Sequence, residues 1–371
     1  MIEIFLCGDV MTGRGIDQIL PHPCDPKLHE RYVASAIDYV RLAEDANGSI
    51  PRPVDFSYIW GDAVDEWRRM RPHVRIVNLE TAVTRSESYV EKGINYRMSP
   101  ENVGCLLAAG IDCCVLANNH VLDWGTTGLI DTLAALERHR MKTAGAGRNE
   151  SQASAPAVLE VAGRGRVLVF AFASESSGVP ADWAATRDDP GVNLLPGFSE
   201  TAADEIGAQV GRIRKPGDVV IVSIHWGTNW GFEIPDRQRR FAHALIDRAN
   251  VSVVHGHSSH HPKAIEVYKN RLVLYGCGDF LNDYEGIKGY EEFRGDLALM
   301  YFAGFDGDNA ELVQLEATPL RIQRLQLARA SSMDVDWLLT TLDREGRRFG
   351  VRVVRPKVDG RLAITWPRAI S

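Results

Sequence analysis

Seven short apolar runs, at residues 2–7, 74–77, 113–116, 167–173, 219–224, 251–254 and 271–275, are each bounded by Gly, Asn or His. They are too short for helices and read as buried strands. Between them, residues 101–109, 129–139, 200–213 and 238–249 place apolar side chains at helical spacing. That alternation predicts βαβ construction and an α/β fold.

The chemistry-bearing residues fall just past the carboxyl ends of these runs. Asp9 follows the first, Asn78 and Glu80 the second, and Asn118, Asn119 and His120 the third. His225 closes the fifth. His255, His257, His260 and His261 crowd into seven residues after the sixth, four of the eleven histidines in the chain. Loops converge at that edge of an open α/β sheet, so ligands bind there. Imidazoles fill cores poorly, and a close row of them would repel on protonation. A bound cation sharing their lone pairs explains the crowding; a solvated metal-scavenging loop is the plainer alternative.

The length of 371 residues, with 45% hydrophobic and 25% charged, allows one large globular domain over residues 1–371. After Asp296 the pattern turns to strand-like stretches at 297–302, 311–317 and 321–328, then a helix at 335–342 and a hairpin pairing 351–354 with 362–366 around Asp359-Gly360. Residues 300–371 are therefore expected to complete the sheet, while 21–53 reads as an insertion of loop and helix over the rim of the first strand. The net charge of -7 argues against nucleic acid or an anionic membrane as partner. No apolar run approaches the roughly 20 residues that span a bilayer, so no membrane anchor is expected. Six cysteines without a CxxC pair point to a reducing, cytoplasmic setting.

A hydrolytic metal site needs hard oxygen and imidazole ligands from several strand ends, and an imidazole left free to move a proton. Asp9, Glu80, Asn119, His225, His257 and His260 supply the first set. His120, with Asp123 three residues on to fix its tautomer, supplies the second as proton donor to a leaving group. No Walker-type loop, GxSxG elbow or HExxH is present.

In order, GDVMTGRG (8–15), NLETAVT (78–84), ANNHVLDWG (117–125), GAG (145–147), HWG (225–227), GHSSHH (256–261) and YGCGDFLND (275–283) resemble the bacterial capsule-synthesis CapA family, which is related to the calcineurin-like metallophosphoesterases. The resemblance implies a four-layer α/β/β/α sandwich and a role in capsule or poly-γ-glutamate synthesis. It implies one or two divalent ions (Mn, Fe or Zn) on the six ligands above, with Met11 standing where the metallophosphoesterase pattern has a ligand His. It also implies that Arg14 holds an anionic substrate group. Asn118, Arg97 and Trp226 are expected to help bind an anionic small molecule or a polyglutamate-type chain, with Trp230 beside them. Two functions follow: a metal-dependent hydrolase, or a non-catalytic factor that binds polyglutamate or capsule-synthase components through the same rim.

Overall fold

The structure, a computed structural model, describes residues 1–356 and 360–367. Among these, two mixed sheets carry the fold. The larger runs in the order Arg352–Val354, Leu362–Thr365, Leu312–Gln323, Leu297–Phe305, Ile2–Val10, Val74–Leu79, Cys113–Val115 and Lys142–Ala144. Asp279–Leu281 adds to Ile2–Val10, and Gln326–Arg329 to Leu312–Gln323. The smaller runs Ile265–Tyr268, Arg271–Leu274, Val253–His257, Val219–His225, Gly165–Ala173 and Ala157–Val161.

Period-two alternation decides which face each residue serves. Val167, Val169, Ala171, Ile221 and Val253 of the smaller sheet share one core with Ile4, Leu6 and Val77 of the larger. Their neighbours Leu168, Phe170, Val220 and Val222 form a second core with Ile206, Val210, Phe241 and Leu245 from helices Glu200–Ile213 and Asp236–Ala249. Burying each of those larger side chains contributes roughly 1.5–3 kcal/mol. On the larger sheet, Phe5 meets Trp67 of helix Ala63–Met70 edge-on, with ring centroids 5.3 Å apart. Covered on both sides, Ile2–Val10 is almost wholly buried, as its apolar run Ile4–Cys7 requires.

Two glycines permit the close approaches on which the site depends. A Cβ at Gly8 would lie 1.6 Å from the carbonyl oxygen of Gly278, and one at Gly256 would lie 2.5 Å from the Trp226 indole nitrogen. Gly8 thus lets Asp279–Leu281 close on the end of the first strand, where Asp9 stands opposite both Asp279 and Asn78.

The α/β reading holds, and the strands after residue 296 join the same sheet as Ile2–Val10. Three local expectations need correction. Residues 101–109 are a 3-10 turn, Pro100–Val103, leading into a five-residue helix, Gly104–Ala108, because proline opens the segment and glycine interrupts it. Residues 321–328 are not one strand: Arg324 and Leu325 take positive φ of 56° and 53°, reversing the chain into a hairpin without the usual Gly or Asn. His255 and His257 lie inside strand Val253–His257 rather than in a loop beyond it, while His225 closes strand Val219–His225 as expected. The hairpin residue Asp359 lies outside the described residues.

Candidate metal centre

Strand register builds the centre. Val219–His225 and Val253–His257 run parallel with Ser223 opposite His255 and His225 opposite His257. All four side chains take the face that Ile221 and Val253 occupy earlier in the same strands, which is turned toward the larger sheet. There they meet Asp9 and Glu80 from the ends of Ile2–Val10 and Val74–Leu79. Asp9, His225 and His257 are buried and offer ligand atoms all within 4.8 Å of one another. His257 Nδ1 is 3.7 Å from Asp9 Oδ1 and 2.7 Å from His225 Nδ1. Glu80 Oε1 lies 3.7 Å from His225 Nε2, and Asn119 Oδ1 3.0 Å from that same nitrogen.

The electrostatics suit a cation. Burial, and then the neighbouring Asp279 carboxylate, push Asp9 up to about 7. Burial followed by Asp9 and Asp279 raises Glu80 well above its ordinary value. Burial, with other imidazoles adding to it, holds His225 and His257 well below theirs, so both are neutral and present ring lone pairs. Glu80 Oε2 is buried without a hydrogen-bond partner. An orphaned carboxylate oxygen beside neutral imidazoles is a donor set that a divalent cation fits.

Second contacts fix the donors. Asn78 donates to Asp9 Oδ1 at 2.7 Å, and the Ser258 backbone N–H to Oδ2 at 3.1 Å. Ser223 Oγ sits 2.9 Å from His257 Nε2 and 3.0 Å from His255 Nδ1, while His255 Nε2 reaches the Cys7 carbonyl of the other sheet at 2.7 Å. His260 is held through Nδ1 by Asp279 Oδ1 at 3.0 Å. Burial alone would lower the pKa of His260, yet Asp279 carries it above the ordinary value.

His120 stands beside this group, its Nε2 3.8 Å from Glu80 Oε1 and its Nδ1 2.6 Å from Asp123 Oδ2. Lys92 Nζ binds Asp123 Oδ1 at 2.7 Å. Burial brings His120 down to about 4 against the opposing pull of Asp123, so it rests neutral, with its proton on Nδ1 and a lone pair on Nε2. It is poised to accept a proton before it can donate one. Glu80, Asn119, His120, His225 and His260 line one cavity of about 200 Å³.

The four residues expected to touch substrate each have protein partners. Arg97 donates to the carbonyls of Ser86 and Asp25 and stacks 3.9 Å over Trp124, fastening a loop. Trp226 is a core residue whose indole N–H donates to the Tyr275 carbonyl. Asn118 is fully buried and donates to Asn78 Oδ1 and the Leu79 carbonyl, bracing the ligand loops. Arg14 is buried against Asp283 and Glu30, so its charge is already met. His261 packs on Phe232 and Phe293. Asp279, Lys92 and Ser223 are absent from the residues expected at the site. Asp279 lies in the YGCGDFLND segment, and Ser223 was legible as the polar break two residues before His225 in an apolar strand.

The fold and the site together define a class: a mixed α/β protein with a buried histidine–carboxylate cluster where strand ends of two sheets meet. A family model described as bacterial capsule synthesis protein PGA_cap matches residues 3–284. The chain belongs to that family, as its ordered motifs imply. A probable polyglutamine synthesis accessory protein of Mycobacterium tuberculosis is 48% identical over 356 residues, 95% of this chain and 93% of that protein. The PGA biosynthesis protein CapA of Bacillus subtilis is 28% identical over 247 residues, covering 66% of this chain and 60% of its own. The capsule biosynthesis protein CapA of Bacillus anthracis is 28% identical over 238 residues, 63% and 53% respectively. No helix among the described residues is long and apolar enough to cross a membrane.

Proposed function

We propose that this chain is a metal-dependent hydrolase of phosphoester or amide bonds serving capsule or poly-γ-glutamate synthesis. Its frame is then a four-layer α/β/β/α arrangement of metallophosphoesterase type, a reading supported by the two cores on the two faces of the smaller sheet. The observation that carries the proposal is the buried trio Asp9, His225 and His257 with ligand atoms within 4.8 Å, beside the partnerless Glu80 oxygen. Asp9, His225 and His257, with Glu80 and Asn119 next to them, would hold one or two ions of Mn, Fe or Zn, and His260 with Asp279 flanks them. Such an ion supplies Lewis acidity and brings the pKa of water from 15.7 to about 7.

The residues then divide the work. Asn78 and the Ser258 N–H orient Asp9. Asp123 fixes the His120 tautomer, and His120 Nε2 accepts and returns a proton at the face of Glu80. The six cysteines, all unpaired and buried, favour a reducing compartment such as the cytoplasm.

The second reading, a non-catalytic factor, is favoured by the word "accessory" in the name of the mycobacterial relative. Elemental analysis with phosphomonoester and phosphodiester assays in Mn²⁺, Zn²⁺ or Fe²⁺ separates the two. Metal-dependent turnover that Asp9→Asn abolishes supports the hydrolase, and metal-free protein with undiminished activity, or no activity with any ion, removes it.

A further inference from the structure

The small cavity at the centre continues into a larger one of about 620 Å³, the two sharing Ile94, Asn229, His260 and Tyr284 in their walls. A volume in this range suits a ligand with a body of its own, well beyond a phosphoryl group. Two features define that body. Among polar and charged neighbours the walls carry an aromatic and aliphatic part, with Tyr39, Ile94, Trp230, Tyr284, Ile287 and Tyr290, that reaches the edge of the centre. Trp230 stacks on Tyr290 with ring centroids 4.2 Å apart and planes within 4°, and Trp230 and Tyr284 both abut His260 at 5.3 and 5.5 Å. Ile94, Ile287 and Tyr290, which also line the cavity, remain 44%, 50% and 50% exposed.

The second feature is charge. The cavity has three arginines in its walls, and each is already matched by carboxylate: Arg14 by Asp283 and Glu30, Arg294 by Asp296 and Asp334, Arg321 by Asp296. Lys288, exposed at the mouth, is the one lysine or arginine in the wall without such a partner among the described residues. A polyglutamate strand brings one carboxylate per residue, and desolvating several of them against neutralised arginines and apolar rings would cost more than it returns.

We infer that the larger cavity binds the uncharged, ring-bearing or apolar body of a small substrate whose reacting ester or amide group reaches into the histidine–carboxylate centre, rather than a polyglutamate chain. This rests on the hydrolase reading for the reacting group, while the cavity stands on its own walls.

The full-length protein, Mn²⁺-loaded and metal-free, is titrated calorimetrically with naphthylmethylphosphonate, methylphosphonate, naphthylmethanol and tri-γ-glutamate. In the loaded protein naphthylmethylphosphonate should bind on the order of tenfold more tightly than methylphosphonate, a gain set by buried apolar area. Trp230→Ala and the surface variant Ile287→Asp should both erase the gain. Naphthylmethanol should bind with or without metal and show the same dependence. If only naphthylmethanol binds, the cavity assignment stands and the hydrolase reading fails. Equal affinity for the two phosphonates, or tri-γ-glutamate binding more tightly than either, overturns the inference.

Discussion

His257 Nε2 lies 2.9 Å from the hydroxyl oxygen of Ser223, and the direction of that hydrogen bond is set from the far side of the hydroxyl. His255 Nε2 faces the Cys7 carbonyl, which only accepts, so this nitrogen carries the proton. Burial holds His255 down to about 4, so its Nδ1 is bare and accepts from the Ser223 hydroxyl. Ser223 must then accept from His257 Nε2–H. The His257 lone pair is thereby directed through Nδ1 at Asp9 and His225.

Ser223→Ala removes this instruction without touching a proposed ligand. Losing an outer-sphere partner of this kind costs about 10–100-fold in metal affinity. We predict that loss for Mn²⁺, together with a mixed His257 tautomer in the ¹⁵N spectrum of the metal-free protein. Ser223→Thr, which keeps the hydroxyl, should restore both. A single tautomer and unchanged affinity in Ser223→Ala would refute the relay.

Glu80 gives the opposite signature. Its carboxylate is buried beside Asp9 and Asp279, with Oε2 unpaired, so in the absence of a cation it opposes folding. Glu80→Gln keeps the shape and replaces the titrating carboxyl with a neutral amide. In chelator the variant should be more stable than wild type by about 0.5–2 kcal/mol, and added Mn²⁺ should raise its Tm less than it raises that of wild type. Urea melts with and without metal decide it, and a variant less stable in chelator counts against a cation centre.

The fold class was readable because buried strands announce themselves as apolar runs. The second core, with Phe170, Val220 and Val222, follows directly from alternation. The Arg324-Leu325 reversal was hidden, since neither residue type signals a positive φ and tertiary packing imposes the turn. At the site, Asp9, Glu80, His225 and His257 were legible as polar residues ending apolar runs. Asp279 was less so, because it reaches Asp9 only through the Gly8–Gly278 approach, a long-range backbone contact. For Arg97 and Trp226 sequence alone leaves two readings open, because side chains suited to binding serve equally well as loop fasteners and core filling.

In the proposed hydrolase His120 moves a proton and does not hold an ion, so its removal should act on turnover. General acid–base groups contribute about 10²–10⁴-fold. His120→Ala should lower kcat by that order with KM and metal content near wild type. Asp123→Asn should also lower kcat, because the Nδ1–H loses the charged acceptor 2.6 Å away. Steady-state kinetics paired with elemental analysis check this, and loss of metal with activity intact at saturating Mn²⁺ would reassign His120 as a ligand.

Asp343, far from the centre, ties helix Ser332–Arg347 to strand Arg352–Val354. Its Oδ1 accepts from Arg352 Nε at 2.8 Å and the Val353 N–H at 3.0 Å, and its Oδ2 from Arg347 Nε at 2.8 Å. Partial burial would raise its pKa, but these donors win and hold it down to about 2. The unfolded value is about 3.9, so the folded state binds this proton less readily. The resulting stability is present in full above about pH 4 and is lost as pH falls through about 2. Arg347 and Arg352 have side chains 60% and 56% exposed, so salt should weaken the effect. Asp343→Asn should therefore have a lower urea midpoint than wild type at pH 7 and at pH 5. The two curves should converge between pH 4 and 2, and the gap should narrow in 1 M salt. A gap that persists unchanged at pH 2 would mean that shape, and not charge, joins the helix to the strand.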